Sequence, residues 1–267
     1  MDINLVAGYL LAILAGISLG LIGSGGSILT VPILVYILAV EPMLATAYSL
    51  FVVGTSALVG GISNAAAKNV DYRAAAIFGI PALLAAYAVR AFIIPAIPEF
   101  IVKTDGLAIS RGMLLMVLFA IVMLLASFRM IRNSTSEAIE EVGQGNNFLK
   151  LTFLGLGTGI VSGAIGAGGG FIIIPALVFF IKMPLKKAVG TSLVIVSVQS
   201  LTAFTADAGH RDMDWFFLSM FTLASVTGIF IGIKLSRNIS GNKLKPIFGW
   251  FLLVMAIYII IKELLLK

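Results

Sequence analysis

Cysteine is absent from this chain of 267 residues, and charged side chains make up only 11% of it. The lack of cysteine excludes disulfide bonds, a catalytic thiolate and cysteine-ligated metal sites. A soluble domain carries about 25% charged residues, whereas this chain is 60% hydrophobic and has a mean hydropathy of +1.12. Because no soluble fold of this length could bury that much apolar surface, the composition indicates a polytopic membrane protein.

Other absences narrow the functional class. The chain has a single histidine, no H-E-x-x-H motif and no cluster of metal-ligating residues, so we expect no metal and no other cofactor. No basic run with interleaved aromatic residues is present, and basic cytoplasmic loops explain the net charge of +6 better than nucleic acid does. The start of the chain lacks a basic region, which predicts that the first apolar helix is retained and is not a signal peptide.

Two glycine-rich segments interrupt the apolar stretches, at residues 16–32 and 159–175. Several positions are identical in both at an offset of 143 residues, namely Gly16, Gly20, Gly23, Gly25, Gly26 and Pro32 with Gly159, Gly163, Gly166, Gly168, Gly169 and Pro175. An acidic residue followed by an aromatic one, at Asp71 and again at Asp214, repeats at the same offset. The shared register predicts an internal duplication of the chain.

The distribution of lysine and arginine predicts how the two halves are oriented. If each glycine-broken helix pair enters and leaves the membrane on the same side, each half crosses an odd net number of times, and most basic residues then share one side. The positive-inside rule makes that side cytoplasmic. We therefore predict an all-α, polytopic membrane bundle of two inverted repeats, each with a discontinuous or re-entrant helix pair at its glycine cluster.

This topology also predicts domains and location. The chain divides into a first transmembrane repeat at 1–131, a polar linker at 132–147 and a second transmembrane repeat at 148–267. We expect a multi-pass protein of the cell membrane, in contact with lipid, whose linker and basic loops are cytoplasmic and whose loop at Glu41 is outside. Monomer and homodimer both remain open as the oligomeric state.

The runs of consecutive glycine predict a ligand site. GxxxG spacings within the segments favour close helix packing, but consecutive glycines weaken a helix by roughly 1 kcal/mol each. Broken helices at matching places in two halves point to a transporter site, and the N–H groups at a helix N-terminus bind an anion without lysine or arginine. The predicted substrate-binding residues are Gly23, Ser24, Gly25, Gly26, Ser27, Gly166, Gly168, Gly169, Gly170, Ser49, Thr191, Ser192 and Gln199.

Four other predictions concern polar residues within or beside the apolar stretches. Arg90 is predicted to extend to the membrane interface, with anion attraction as the alternative. Asp207 is predicted to be a solvated loop carboxylate, with the binding of a coupling proton or sodium ion as the alternative. His210 is predicted to lie in an exposed loop, with proton sensing as the alternative. Serine and threonine in membrane helices mostly bond their own or a neighbouring helix, whereas the Gln199 amide at mid-span needs a partner.

The doubled pattern G-x-x-G-x-G-G, followed by a proline, resembles the sulfite exporter TauE/SafE family of membrane transporters. Residues 188–193 read A-V-G-T-S-L and are similar to that family's A-x-G-T-S-L, and residues 45–50 are a looser copy with Ala47-Tyr48 in place of Gly-Thr. The resemblance implies transport of a small sulfur-containing anion, namely sulfite, another sulfur oxyanion or an organosulfonate, and usually export. We therefore expect a secondary transporter that works by alternating access.

Two other classes compete with a carrier. A passive anion channel would use the same helix ends, and saturating flux with counterflow would distinguish a carrier from it. Gly16, Ser18 and Gly20 fit the G-x-S-x-G pattern of a serine hydrolase, but the nucleophile elbow requires a strand–turn–helix that this apolar segment does not offer. The second copy has Val161 in place of Ser18, so we do not expect an enzyme.

Overall fold

The computed structural model of the chain describes residues 3–104, 107–132, 147–166, 168–181, 183–209, 212–236 and 241–265, which are mostly helical. The α-helices of the first half are α1 (Ile3–Ile22), α2 (Thr30–Pro32), α3 (Pro42–Ala66), α4 (Tyr72–Ala88), α5 (Ile94–Ala96) and α6 (Arg111–Arg132). Those of the second half are α7 (Asn147–Ile165), α8 (Gly170–Ile181), α9 (Leu185–Ala208), α10 (Trp215–Ser236) and α11 (Gly241–Leu265). A 3₁₀ helix at Gly23–Leu29 joins α1 to α2, and π-helical turns occupy Ile33–Ile37 and Val89–Ile93.

Several helices of the described residues are long and apolar enough to cross a membrane. These six segments are Leu5–Ile22, Pro42–Ala66, Tyr72–Ala96, Arg111–Phe128, Lys186–Ala208 and Trp215–Ser236. Large apolar side chains such as Ile62, Leu125 and Phe216 are exposed on them, which suits contact with lipid rather than with water. The protein is therefore a multi-pass helical membrane protein.

A β-hairpin between α5 and α6 corrects the all-α prediction. Strand β1 (Phe100–Thr104) pairs antiparallel with β2 (Leu107–Ser110), and α6 begins only at Arg111. β-Branched residues are frequent in β1, and the dipeptide between the strands is Asp-Gly, which tight hairpins prefer. The second strand is as apolar as the helix that follows it, so hydropathy alone does not separate the two.

Glycine lets two pairs of helices approach closely. Helix α1 packs against α10, and α4 packs against α7. A Cβ placed on Gly155, Gly159 or Gly163 of α7 would lie 2.2–2.6 Å from backbone carbonyl oxygens of α4. Gly16 and Gly20 of α1 face backbone carbonyl oxygens of α10 in the same way. These contacts confirm that the GxxxG spacings serve helix packing.

The interior is built around α3 and α9. These two helices pack against each other, and their membrane-spanning segments are 72% and 67% buried, compared with 33–39% for the other four. The 3₁₀ helix Gly23–Leu29 contacts α3, α8 and α9. The two glycine-rich segments therefore meet beside the central helix pair.

Candidate functional site

Four glycines of the two segments adopt a left-handed backbone conformation. The φ angles are +75° at Gly23, +74° at Gly166, +70° at Gly168 and +66° at Gly169. Glycine adopts this region readily, whereas the Cβ of any other L-residue is brought too close to the following carbonyl oxygen. Gly23 and Gly166 occupy equivalent positions of the duplication, so the chain turns at the same point after α1 and after α7.

Hydroxyl-bearing side chains lie directly against the second glycine turn. A Cβ placed on Gly168 would lie 2.9 Å from Ser200 Oγ of α9. A Cβ placed on Gly169 would lie 3.0 Å from Ser162 Oγ of α7. The backbone at this turn therefore has polar neighbours and leaves no room for side chains of its own.

Buried polar side chains without a hydrogen-bond partner concentrate around the same elements. Apart from Arg111 Nε, such atoms among the described residues belong to Ser27, Thr30, Ser49, Ser162, Gln199 and Ser200. We call these six residues the unpaired polar group. They lie on the 3₁₀ helix, α2, α3, α7 and α9, elements that contact the glycine segments or one another. Since roughly 90% or more of buried polar groups are hydrogen-bonded, their concentration indicates a place where a ligand or water supplies the missing bonds.

The predicted site residues with polar side chains separate into unpaired and paired ones. Ser27, Ser49 and Gln199 are at most 1% exposed, and their side-chain oxygen and nitrogen atoms have no partner within the part of the chain that the structure describes. Thr191 Oγ1 accepts a hydrogen bond at 2.9 Å from a backbone N–H at the start of α4. The Ser192 hydroxyl donates at 2.8 Å to a carbonyl oxygen of its own helix. Thr191 and Ser192 thus already make contacts that stabilise the fold.

The other predicted substrate-binding residues lie in the segments that follow α1 and α7. Ser24, Gly25 and Gly26 belong to the 3₁₀ helix that follows α1, and Gly170 is the first residue of α8. His210 and the linker residues 133–146 lie outside the described residues.

Sequence reasoning did not select Ser162 or Ser200 as site residues. Hydroxyls in membrane helices mostly bond a nearby backbone carbonyl, so the residue type alone does not mark these two. A usable signal for Ser162 is its place inside the second glycine-rich segment, next to Gly163.

Tyr48 makes in the first half the same contact that Thr191 makes in the second half. Tyr48 and Thr191 are equivalent positions, as are Asp71 and Asp214. The Asp71 N–H donates to Thr191 Oγ1 at 2.9 Å, and the Asp214 N–H donates to Tyr48 Oη at 2.7 Å. Each half therefore anchors the start of a helix in the other half, and tyrosine in place of threonine preserves this anchor.

The predictions that Arg90 is interfacial and Asp207 solvated are wrong. The two residues are 1% and 5% exposed, and Arg90 Nε donates to Asp207 Oδ2 in a buried ion pair. Arg90 Nη2 also donates to Thr46 Oγ1 at 2.7 Å, and Nη1 donates to the Gly163 carbonyl oxygen at 3.4 Å. The ion-pair partners are 117 residues apart in sequence, so an inspection of one apolar stretch at a time cannot bring them together. Each charge lowers the free-energy cost of burying the other.

Known proteins resemble the chain along nearly its whole length. Residues 9–259 match the family model described as "Sulfite exporter TauE/SafE". A "Probable membrane transporter protein" of Xylella fastidiosa (strain 9a5c) is 32% identical over 252 residues, which cover 92% of this chain and 91% of that protein. "Probable membrane transporter protein YunE" of Bacillus subtilis (strain 168) is 26% identical over 249 residues, which cover 86% of each chain. "Probable membrane transporter protein MJ0441" of Methanocaldococcus jannaschii is 27% identical over 271 residues, which cover 94% of this chain and 95% of that protein. No solved structure is significantly similar to the chain.

Proposed function

Because this chain belongs to the sulfite exporter TauE/SafE family, we propose that it moves a small sulfur-containing anion across the cytoplasmic membrane as a secondary transporter. The names of its relatives support membrane transport, and the family description supports sulfite or a related sulfur oxyanion or organosulfonate as the substrate. The proposed direction is export, and the proposed mechanism is alternating access coupled to a proton or sodium gradient.

The proposed substrate site lies between the two glycine-rich segments. The observation that carries this proposal is the unpaired polar group, six buried side chains on the elements around both segments. None of the six is charged, so they would offer hydroxyl and amide donors to an anion. Charge-assisted hydrogen bonds are about twice as strong as neutral ones. Several such bonds offset the desolvation of an oxyanion, and the lack of a cation among the six side chains eases its release.

Backbone amides near residues 25–27 and 168–170 complete the proposed site. Gly168 and Gly169 lead the chain directly into the N-terminus of α8, a helix of 12 residues. A helix N-terminus favours an anion through its N–H groups and its dipole. Ser49 on α3 and Gln199 on α9 then supply side-chain hydrogen bonds from the central helix pair.

We further propose that the two repeats are inverted and related by a two-fold axis beside α3 and α9. Helices α1 and α4 of the first half pack on α10 and α7 of the second, and these two pairs are equivalent under the duplication. Helix α3 packs on its own equivalent α9, as expected for elements next to a two-fold axis. The hydrogen bonds of Thr191 to Asp71 and of Tyr48 to Asp214 are also equivalent under the duplication, and each joins one half to the other. Inverted-repeat transporters bind their substrate near the membrane midplane, at the interface between the repeats.

Sulfite flux from proteoliposomes tests this function. Flux that saturates and shows counterflow supports a carrier, whereas large unitary currents would show a passive anion channel. Gly26→Val should abolish flux, because the added side chain would occupy the place where the proposed substrate approaches the backbone. Gly169→Val should also abolish flux, because its Cβ would lie 2.7 Å from Ser162 Cβ at a φ angle of +66°, and the resulting shift of the turn would displace the proposed backbone donors. Ser18→Ala should transport normally, since the Ser18 hydroxyl donates to the Ala15 carbonyl oxygen of its own helix at 2.8 Å.

A folding control and one further variant make the outcome decisive. Size-exclusion chromatography shows whether each variant is folded, and Ser200→Ala adds a variant without backbone strain that should also lower the flux. Normal transport by folded Gly26→Val and Gly169→Val proteins would place the substrate elsewhere. Loss of transport in Ser18→Ala would instead favour a role for that hydroxyl.

A further inference from the structure

A cavity of about 400 Å³ lies between the end of the α4–α5 segment, the start of α6 and the end of α9. Its lining includes Tyr87, Arg90, Ile94, Arg111, Thr205 and Asp207, and we call it the arginine cavity. No member of the unpaired polar group lines it. Small-molecule sites in proteins typically have volumes of about 300–1,000 Å³, so the arginine cavity is large enough for a small hydrated ligand.

The charged side chains of the lining sum to a positive charge. Arg90 and Asp207 form a buried ion pair, in which their charges cancel. Arg111 is the further charged residue of the lining, and it adds a second guanidinium. A cleft that carries a net charge and has walls of low dielectric constant concentrates ions of the opposite sign. The arginine cavity therefore attracts anions.

Arg111 is held in position but is not fully paired. Its Nη1 donates to the carbonyl oxygens of Ile94 and Ile97, at 3.2 Å and 3.1 Å. Its Nε is buried and has no hydrogen-bond partner among the described residues. An unsatisfied buried donor on a charged group is costly, and a guanidinium matches the paired oxygens of an oxyanion. The lining thus lacks an acceptor that an oxyanion would supply.

Arg90 connects the arginine cavity to the second glycine turn. It donates to Thr46 Oγ1 at 2.7 Å. The Cβ of Thr46 lies only 2.5 Å from the place where a Cβ on Gly166 would be. Gly166 has the first left-handed φ angle of that turn. Thr46 therefore touches both the ion pair of the cavity and the backbone of the glycine segment.

We propose that the arginine cavity is a second anion site, in which a small oxyanion binds to Arg111 beside the Arg90–Asp207 ion pair. The two sets of residues do not overlap, so substitutions can probe the arginine cavity and the unpaired polar group separately. The arginine cavity would also be the site from which anions reach the glycine turn, and this second role rests on the proposed function.

Equilibrium dialysis of the purified full-length protein with ³⁵S-sulfite at constant ionic strength tests the proposal. The wild type should bind two anions per chain. Arg111→Gln should weaken one binding event by about tenfold or more, because a charge-assisted hydrogen bond and the cation are lost. Arg111→Lys keeps the charge without the planar fork and should show a smaller weakening. Gln199→Leu should weaken the other binding event by about tenfold or more, because a hydrogen bond to the charged ligand is lost.

Arg73→Gln is the matched control, since Arg73 is exposed at the start of α4 and the variant makes the same change in charge. It should keep both binding events, and weakening equal to that of Arg111→Gln would overturn the proposal. A single binding event that is lost in Gln199→Leu and kept in both Arg111 variants would also overturn it, while the proposed substrate site would stand. A single event lost only in the Arg111 variants would support the cavity and would remove the proposed substrate site.

Discussion

Gln199 is 1% exposed, and neither the nitrogen nor the oxygen of its amide has a partner among the described residues. Other buried polar residues do have partners: the hydroxyl of Ser56 donates to Ser225 Oγ at 3.0 Å and joins α3 to α10. A buried polar group without a partner costs on the order of 1–3 kcal/mol. Gln199 therefore destabilises the unliganded protein, and a bound anion or water would offset that cost.

Gln199→Leu should stabilise the protein and impair transport at the same time. Leucine has a similar size and no polar atom to satisfy, so we expect the free energy of unfolding to rise by about 1 kcal/mol. Sulfite flux should fall by about tenfold, because a hydrogen bond to a charged ligand is lost. Thermal unfolding in detergent and flux from proteoliposomes measure the two effects.

Ser197→Ala is the control on the same helix. Ser197 is 2% exposed, but its hydroxyl donates to the Val194 carbonyl oxygen at 2.8 Å. We expect this variant to be close to the wild type in both stability and flux. A loss of stability in Gln199→Leu would show that the amide has a partner in the fold, and normal flux would exclude Gln199 from the substrate site.

Residue contacts were predictable from the sequence only where they are local. The sequence predicts that burial of the Gln199 amide is unfavourable without a partner, because the residue lies within a long apolar stretch. The pairing of Arg90 with Asp207, and of Thr191 with Asp71, joins residues 117 and 120 positions apart. A single sequence carries no sign of such contacts, since they depend on how distant helices pack.

Among the helices, α7 shows that closely spaced glycines have different roles. A Cβ on Gly159 would lie 2.2 Å from the Ala82 carbonyl oxygen of α4, whereas a Cβ on Gly157 would meet nothing within 4 Å. Gly159→Ala should therefore force α4 and α7 apart and lower the melting temperature. Gly157→Ala should stabilise α7 by about 1 kcal/mol, because alanine is the better helix former.

Thermal unfolding of both variants in the same detergent checks this prediction. The two substitutions are chemically identical and lie on one helix, but Gly157 is exposed whereas Gly159 is buried against α4, so only the second variant tests that packing. Equal melting temperatures for the two variants would contradict close packing of α4 on α7 at Gly159.

The helices themselves were predictable to a greater extent than their interruptions. Long apolar runs predict most of the membrane-spanning helices because hydropathy averages over many residues. The same averaging hides short features, which is why the hairpin at Phe100–Thr104 and Leu107–Ser110 and the π-helical turn at Val89–Ile93 were missed. The described glycines with left-handed φ angles all fall within the two glycine-rich segments of the sequence, since that backbone conformation favours glycine.

At the scale of the whole molecule, the two halves are interleaved and do not stand side by side. The helix pairs α1–α10 and α4–α7 each join one half to the other, and so does the central pair α3–α9. Neither half could close its own interior, because each contributes helices that pack mainly on the other. The proposed alternating-access motion would therefore move groups of helices drawn from both halves.

Inverted repeats require that equivalent loops lie on opposite sides of the membrane. Single cysteines at Glu41 and Lys186, exposed residues at the equivalent starts of α3 and α9, should react with an impermeant maleimide from outside and from the cytoplasm, respectively. Exposed Lys68 and Asp212 form a second pair, for which the cytoplasmic and outer sides are expected in that order. The native chain has no cysteine that would interfere. Labelling of both members of a pair from one side would show parallel repeats, and the glycine segments could then not approach each other through a two-fold axis in the membrane plane.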